Sequence, residues 1–272
     1  MIEIAICLAV IGIALVAIVG VLPLGMNVQK ENREATVINQ DASVFIEAIR
    51  NGAQGLDDLT NYVYSITNNW VLFNPDGTKN KSGENGYSGY PNPATSIAPG
   101  YVTPSGTFTA PATTISNGTN IIGLLSTPEF TDGNGLPINN FLSGNVYYSN
   151  HIVAYVRSIS GLAVEKPPQP NDSIIREDSF SYRIICVNAP VATDTNIFNK
   201  AFYPDGPPAY SQQLAANLHE LRLTFLWPQQ PNGKLGSGRQ TYRALIAGQV
   251  TTNANYGPML YFYQPQSFAI TK

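Results

Sequence analysis

The first stretch of the chain is apolar on every side. From Ile4 to Met26 it contains no charged residue, and the thiol of Cys7 is its only hydrogen-bonding side chain. A helix of that length spans roughly 35 Å at about 1.5 Å per residue, which is enough to cross the hydrocarbon core of a bilayer. The pattern therefore predicts a membrane-length apolar helix over residues 1–26.

The hydrophobic period changes after Met26. Apolar residues now recur at alternating steps of three and four, which is the narrow stripe of a heptad pattern. Gly52 and Gly55 are typical of a helix stop. We therefore predict an amphipathic continuation of the same helix over residues 27–53, and expect the polar positions between the stripe residues, Asp41 among them, to face solvent or a partner. The packing stripe consists of Ala35, Ile38, Ala42, Phe45 and Ile49.

The remaining residues, 54–272, predict a β-rich domain. Apolar and polar residues alternate cleanly over 221–227, and a second such run follows across a Gly/Pro/Asn-rich loop, as in an antiparallel hairpin. Residues 74–145 show no strong periodicity and predict long surface loops. Strands are expected at 146–156, 180–187, 221–227, 241–247 and 259–263, and a short helix at 211–220.

The two patterns together define a fold class. An antiparallel sheet with one apolar face needs a cover, and the striped half of the long helix can supply it. We predict an α+β fold in which a long N-terminal α-helix, within residues 1–53, packs against an antiparallel β-sheet domain formed by residues 54–272.

The N-terminal pattern resembles the type IV pilins and the type II secretion pseudopilins of bacteria. The resemblance rests on Met1-Ile2-Glu3, the apolar run from Ile4 to Leu22, and Pro23. The glutamate of this family usually lies fifth in the mature chain, so the resemblance would place two further residues before Met1. Pro23 also follows the acid at a greater distance than is common in the family.

The resemblance implies a structural role. Family members are made with a short basic leader, which a prepilin peptidase removes, and their new N-terminus is methylated. Glu3 would neutralise the charged N-terminus of an adjacent subunit, here at Met1, because either charge alone in a low dielectric is far more costly. The implied partners are further copies of the chain, the pilus assembly machinery and, before assembly, the inner membrane. The implied location is an extracellular filament on the cell surface.

Two alternatives stay open. The chain could be a minor pseudopilin at the tip of a type II secretion system, although the acid at Glu3 favours a position within the stack. It could also be an enzyme or receptor domain that a single spanning helix tethers to the membrane. That alternative predicts a basic flank before the helix, and no lysine or arginine precedes Glu3 in the sequence.

Pro23 lies between Gly20 and Gly25 and predicts an interruption of the helix. Proline removes one backbone hydrogen bond and clashes with the carbonyl four residues back, at ~3 kcal/mol or more, and glycine lowers helix propensity further. The interruption could be a tolerated kink in a membrane helix. It could also be a stretch that unwinds when subunits pack into a filament. The resemblance favours the second interpretation, because the family shows such melting.

Composition narrows the function classes further. Charged residues make up only 12 % of the chain and the net charge is −3, which argues against nucleic acid as a partner and is typical of a neutral, polar extracellular surface. The two cysteines, Cys7 and Cys186, are expected far apart and therefore free, since a disulfide needs Cα atoms within ~7 Å. No CxxCH motif is present, so covalently attached c-type haem is excluded, and no cofactor is predicted.

Little in the sequence supports catalysis, and we expect no enzymatic activity. The two histidines, His151 and His219, lack metal-ligand spacing, and the carboxylates are sparse and unclustered. Asp76 and Asp132, each in a Gly-rich turn, supply oxygen of the kind that calcium prefers. Asp-Gly sequences more often form plain turns, so no metal site is predicted.

Overall fold

One long helix, three short helical segments and a set of β-strands make up the described part of the chain. The computed structural model describes residues 2–52, 56–89, 102–103, 106–107, 113–115, 117–138, 146–160, 180–191, 209–230, 233–253 and 259–268. The helices are α1 (Ile2–Arg50), a 3₁₀ turn (Asp57–Asn61), α2 (Gly118–Leu125) and α3 (Ala209–Asn217).

The strands fall into one large sheet and two small ribbons. The strands are β1 (Val63–Phe73), β2 (Lys79–Gly89), β3 (Val102–Thr103), β4 (Gly106–Thr107), β5 (Thr113–Ile115), β6 (Phe130–Thr131), β7 (Tyr147–Arg157), β8 (Ser181–Pro190), β9 (Leu218–Gln229), β10 (Leu235–Ala247), β11 (Gln249–Asn253) and β12 (Leu260–Gln264). The eight-stranded sheet has the order β10-β9-β8-β7-β1-β2-β5, with β6 paired to β7. Every pair in it is antiparallel except β2 with β5, and β11–β12 and β3–β4 form the ribbons.

The rear half of α1 covers one face of this sheet, which confirms the predicted α+β class. Ile38, Ala42, Phe45 and Ile49 are fully buried in the core, and Ala35 packs against it at the rim. The alternation predicted in β9 is present as well, since Leu221, Leu223, Phe225 and Trp227 are buried on the helix-facing side. The sheet and the helix stripe thus bury each other's apolar faces.

The helix stops where its backbone must turn sharply. α1 ends at Arg50, and Gly52 donates its N–H to the carbonyl of Ile49 with φ at +55°, a conformation that favours glycine. A Cβ at Gly52 would lie 2.5 Å from the carbonyl oxygen of Tyr263, so this close approach to β12 requires glycine. Gly55, the second predicted stop residue, lies outside the described residues.

Residues 74–145 are not all loops as predicted: they contain the two- and three-residue strands β3 to β6, and also the longer elements β2 and α2. β2 forms because a tight turn folds it back on β1, with Asn74 and Thr78 bonded across the turn and Trp70 lying over Gly83. α2 forms because Asn117 caps it, its Oδ1 accepting from the N–H of Asn120 at 2.8 Å, and because its apolar residues are buried. In the first case pairing with β1 overrides the low strand propensity of the sequence KNKSGENGYSG.

Two boundaries in the second half also differ from prediction. The predicted loop between β9 and β10 is shorter, because β9 runs to Gln229 and β10 begins at Leu235. The predicted helix at 211–220 ends at Asn217, and the next residue already begins β9. In both places the strand ladder extends into polar residues that carry no alternating pattern.

Candidate functional site: a projecting apolar helix and its anchor

The front half of α1 projects from the domain with its apolar side chains uncovered. The large apolar side chains that the structure describes between Ile2 and Val28 are between 54 and 76 % exposed. Within the described residues, α1 is the one helix long and apolar enough to cross a membrane, judged by length and composition. Soluble monomers rarely expose an apolar surface of this extent, so the segment needs lipid or another apolar partner. The helix therefore indicates targeting to a membrane or to secretion.

Glu3 lies in the first turn of α1 and is exposed. An acid is favourable there, because the helix dipole places partial positive charge at the N-terminus. Met1 lies outside the described residues. The pairing of Glu3 with the N-terminus of an adjacent copy involves two chains and stays a prediction.

The segment around Pro23 is helical in this structure, so the predicted interruption is not seen in the isolated chain. A Cβ placed on Gly20 or Gly25 would meet nothing within 4 Å. Because proline has no N–H, the carbonyl of Val19, four residues back, has no α-helical donor. Unwinding of this stretch on assembly stays a prediction.

A charged collar marks the point where α1 leaves the domain. Lys30 and Glu34 lie one turn apart, with Nζ and Oε1 separated by 3.8 Å, and Glu31 and Arg33 are exposed between them. Partial burial at the rim raises the pKa of Glu34 above its usual value, and the charge of Lys30 opposes that rise. From this collar onward the helix faces the sheet.

Asp41 is the polar anchor of the helix. It is fully buried, so the prediction that it faces solvent or a partner is wrong. Its Oδ2 accepts from the N–H of Ile159 at 3.0 Å and from the hydroxyl of Tyr182 at 2.7 Å. Its Oδ1 accepts from the N–H of Ser160 at 2.9 Å and from the hydroxyl of the same serine. One side chain of α1 thus ties the helix to the end of β7 and to β8.

The surroundings of this anchor are dry on the Tyr182 side. Tyr182 has no exposed surface, and burial, together with the negative charge of Asp41 and the hydrogen bond to it, raises the pKa of the phenol well above its usual value. The ring also packs against Phe225 at 5.4 Å between centroids. The hydroxyl of Tyr182 therefore remains a donor to Asp41 across the physiological pH range.

The heptad pattern itself indicates that Asp41 lies on the buried face of the helix. It lies three residues after Ile38 and four before Phe45, which places it on the buried face of the helix. Asn39, on the exposed side of the helix, makes further polar contacts with the sheet. Its Oδ1 accepts from the side-chain amide of Gln240 at 3.2 Å and from the hydroxyl of Tyr242, both on β10. Asp41 and Asn39 therefore both hold the helix in its position on the sheet.

The two candidate calcium ligands both cap turns. Asp76 Oδ1 accepts from the N–H of Thr78 at 2.9 Å and from its hydroxyl at 2.6 Å, and these bonds lower the pKa of Asp76. Asp132 Oδ1 accepts from the N–H groups of Asn134 and Leu136 at 2.9 and 2.7 Å. Across the part of the chain that the structure describes, no group of three His, Cys, Asp or Glu residues could hold a metal ion.

Two further chemistry-bearing residues, Cys186 and His219, lie in the core beneath α2 and β12. Cys186 is buried and free, its thiol donates to the carbonyl of Leu125 at 3.0 Å, and burial raises its pKa. His219 is buried edge-on against Tyr263, and burial lowers its pKa to about 4. Cys7, the second free cysteine, is exposed on the projecting helix.

These features give a pilin-like architecture: an apolar N-terminal helix whose rear half covers an antiparallel sheet and whose front half projects from it. No family model, no curated protein and no solved structure matches this chain. Its function is therefore argued from the residues and contacts described above.

Proposed function

We propose that this protein is the major structural subunit of an extracellular filament of the type IV pilus kind. Many copies would pack their projecting helices together in the filament core, and the sheet domains would form the outer shell. Before assembly the same helix would hold each subunit in the inner membrane. A prepilin peptidase and the pilus assembly machinery would be its partners at that stage.

The energetic support comes from the uncovered surface of the front half of α1. Among the side chains described between Ile2 and Val28, fourteen large apolar ones are exposed. Burial of such a side chain contributes about 1.5–3 kcal/mol, so covering all of them would stabilise the covered state by roughly 20–40 kcal/mol. Lipid and a bundle of like helices can both supply this cover, which is what a subunit that moves from membrane to filament requires.

The observation that carries the proposal is the rigid joint between helix and domain. α1 is continuous from Ile2 to Arg50, and its rear half is part of the domain core. Asp41 adds a buried polar anchor to that packing. No flexible linker separates the apolar segment from the sheet, so the position of a helix in a bundle fixes the position of its domain. A tethered enzyme or receptor has no need of such a joint, whereas a helical polymer depends on it.

The experiment is to shear producing cells and fractionate the chain without detergent. We expect most of it in the sheared extracellular fraction as filaments. The Glu3→Gln variant should stay in the membrane fraction, with filament yield reduced about tenfold or more, because the N-terminus of the neighbour would lose its counter-charge. Glu31→Gln, a matched change at an exposed position of the same helix, should leave the yield unchanged. Release of the wild-type chain by detergent alone would contradict the proposal and favour a tethered domain.

A further inference from the structure

The two lateral edges of the eight-stranded sheet each present unpaired backbone. β10 stands at one end of the strand order, where β9 lies on one side of it and no described strand lies on the other. At the opposite end, β5 pairs with β2 over residues 87–89 alone. Residues 81–86 of β2 therefore have β1 on one side and no described strand on the other. The backbone N–H and C=O groups along such edges can bond to a further strand.

β10 is long for an open edge and lacks the features that usually prevent pairing with another chain. Edge strands are commonly very short, broken by proline or a bulge, or charged on their inward face. The register of β10 with β9 runs without interruption over residues 238–247, which include no proline. Arg239 and Arg243 lie on the face away from α1, because successive side chains alternate and Tyr242 bonds to Asn39 of the helix. The edge of β10 is therefore a site at which a further strand can pair.

We propose that β10 pairs with residues 81–86 of β2 in a second copy, so that the sheet continues from one subunit to the next around the filament. This inference rests on the proposed function and names the surfaces through which neighbouring sheet domains meet. The two edges differ from each other, so the contact between them is heterologous. Repetition of a heterologous contact gives an open helical polymer.

Strand direction selects β2 as the partner. Five antiparallel pairs lead from β10 to β2, namely β10–β9, β9–β8, β8–β7, β7–β1 and β1–β2. Because that number is odd, β2 runs opposite to β10 within one copy. Two copies side by side in the same orientation therefore bring β10 against β2 of the neighbour as an antiparallel pair, with both projecting helices pointing the same way. Antiparallel pairing of β10 with β10 of a second copy would point the two helices in opposite directions, which is incompatible with subunits that all enter the bundle from one membrane.

Charge also favours this pairing. Arg239 is exposed and forms no ion pair with the described residues. One row of cross-strand partners runs from Thr241 through β9, β8, β7 and β1 to Gly86, so these two residues lie on the same face of the sheet. Position 84, an acid, is two residues before Gly86, and position 239 is two before Thr241, so both positions share that face. In copies of the same orientation the face continues across the joint, and it brings an acid of one copy to a base of the next.

The register of the joint follows from the same charges. With Glu84 opposite Thr241, the acid is a diagonal neighbour of both arginines of β10, and opposite charges so placed stabilise a strand pair. Lys81, on the other face, then lies opposite Ala244 and meets no base. Relative to the row through Thr241 and Gly86, this register shifts the second copy by two residues, about 7 Å at ~3.4 Å per residue. A stagger at every contact turns side-by-side copies into an open helix instead of a closed ring.

Chemical cross-linking in assembled filaments tests the contact directly. In a Cys7→Ala background, Thr241→Cys combined with Ser82→Cys should give a ladder of covalent multimers with a short bismaleimide, because both positions are exposed on the same face. The control pair, Thr241→Cys with Asn134→Cys, uses an exposed turn residue outside both edge strands and should give no ladder. Cys186 is buried and should not react. Absence of a ladder from the first pair, or a ladder from the control pair, would overturn the proposal.

Amide hydrogen exchange tests the backbone bonds themselves. In the detergent-solubilised chain, the N–H groups of residues 239–246 that point away from β9 have no described strand to bond to and should exchange fast. In filaments the same groups should exchange at least about tenfold more slowly, as should those of residues 81–86. The N–H groups of residues 221–227 in β9, which has a strand on both sides, should exchange equally in both samples. Equal exchange of β10 in the two samples would also overturn the inference.

These outcomes separate the inference from the proposed function. Filaments that form normally but show neither the ladder nor the protection of β10 would leave the filament proposal intact and remove the inference alone. Absence of filaments from the unaltered chain would contradict the proposed function, and this inference with it.

Discussion

Replacement of Asp41 by alanine should loosen the joint between the helix and the sheet. The change removes the acceptor of three donors that bond to no other acceptor among the described residues: the N–H groups of Ile159 and Ser160 and the hydroxyl of Tyr182. The hydroxyl of Ser160 can turn to the carbonyl of Val37, 3.3 Å away, so its bond is not counted as lost.

The expected magnitude follows from how deeply each donor is buried. Tyr182 has no exposed surface, so its unsatisfied hydroxyl costs about 1–3 kcal/mol, while the two half-buried N–H groups reach water more easily and cost about 0.5–1.5 kcal/mol each. The sum is about 2–6 kcal/mol. At about 2–4 °C per kcal/mol for a domain of this size, the melting temperature should fall by roughly 10 °C.

Thermal unfolding of the full chain in detergent micelles, followed by circular dichroism, measures this change. Glu31→Ala is the matched control, because it removes an exposed acid from the same helix and should shift the melting temperature by no more than about 1 °C. Tyr182→Phe, combined with Asp41→Ala, gives a double-mutant cycle in which the effects should be less than additive. A melting temperature for Asp41→Ala equal to that of Glu31→Ala would refute the argument.

Three further predictions follow from the core and the turns. The free energy of unfolding should fall as the pH drops from 6.5 to about 4, by up to about 3 kcal/mol from His219 alone. The reason is that the unfolded chain binds a proton at His219 in that range and the buried ring does not. Urea unfolding at several pH values should show this slope in the wild type and a shallower one in His219→Gln. Gly52→Ala should lower the free energy of unfolding by about 1–3 kcal/mol or more, because it strains a positive φ and places a Cβ against the carbonyl oxygen of Tyr263. An unchanged urea midpoint in this variant would count against the described helix end. Asn117→Ala should cost about 1 kcal/mol through loss of the α2 cap, and Asn134→Ala in an exposed turn should cost measurably less in the same urea assay.

The sequence was sufficient for those parts of the fold that depend on periodicity. The run before Met26 is apolar on every side over a membrane-spanning length, the stripe from Ala35 to Ile49 repeats with helical spacing, and the residues of 221–227 alternate as a half-buried strand should. Along the stripe and in the strand, burial follows the spacing of the apolar residues, with Asp41 as the exception. Local pattern and tertiary environment therefore agree, and the helix and the strand could both be predicted.

The parts that could not be predicted depend on partners distant in the chain. Asp41 bonds to Ile159 and Ser160, more than a hundred residues away, and nothing in the helix sequence names those donors. The position of Asp41 within the stripe was visible, but an acid at such a position is usually read as a solvated one. β2 is a second case, because its polar, Gly-rich residues become a strand through pairing with β1.

Electron microscopy of material sheared from producing cells without detergent, followed by helical reconstruction, distinguishes a filament subunit from a tethered domain. We expect uniform filaments in which this chain is the main component, with the segments Ile2–Val28 packed together in the core and Glu3 facing the N-terminus of a neighbouring copy. A chain that leaves the membrane only in detergent, as single copies with the apolar helix in a micelle and no filaments in the sheared fraction, would contradict it.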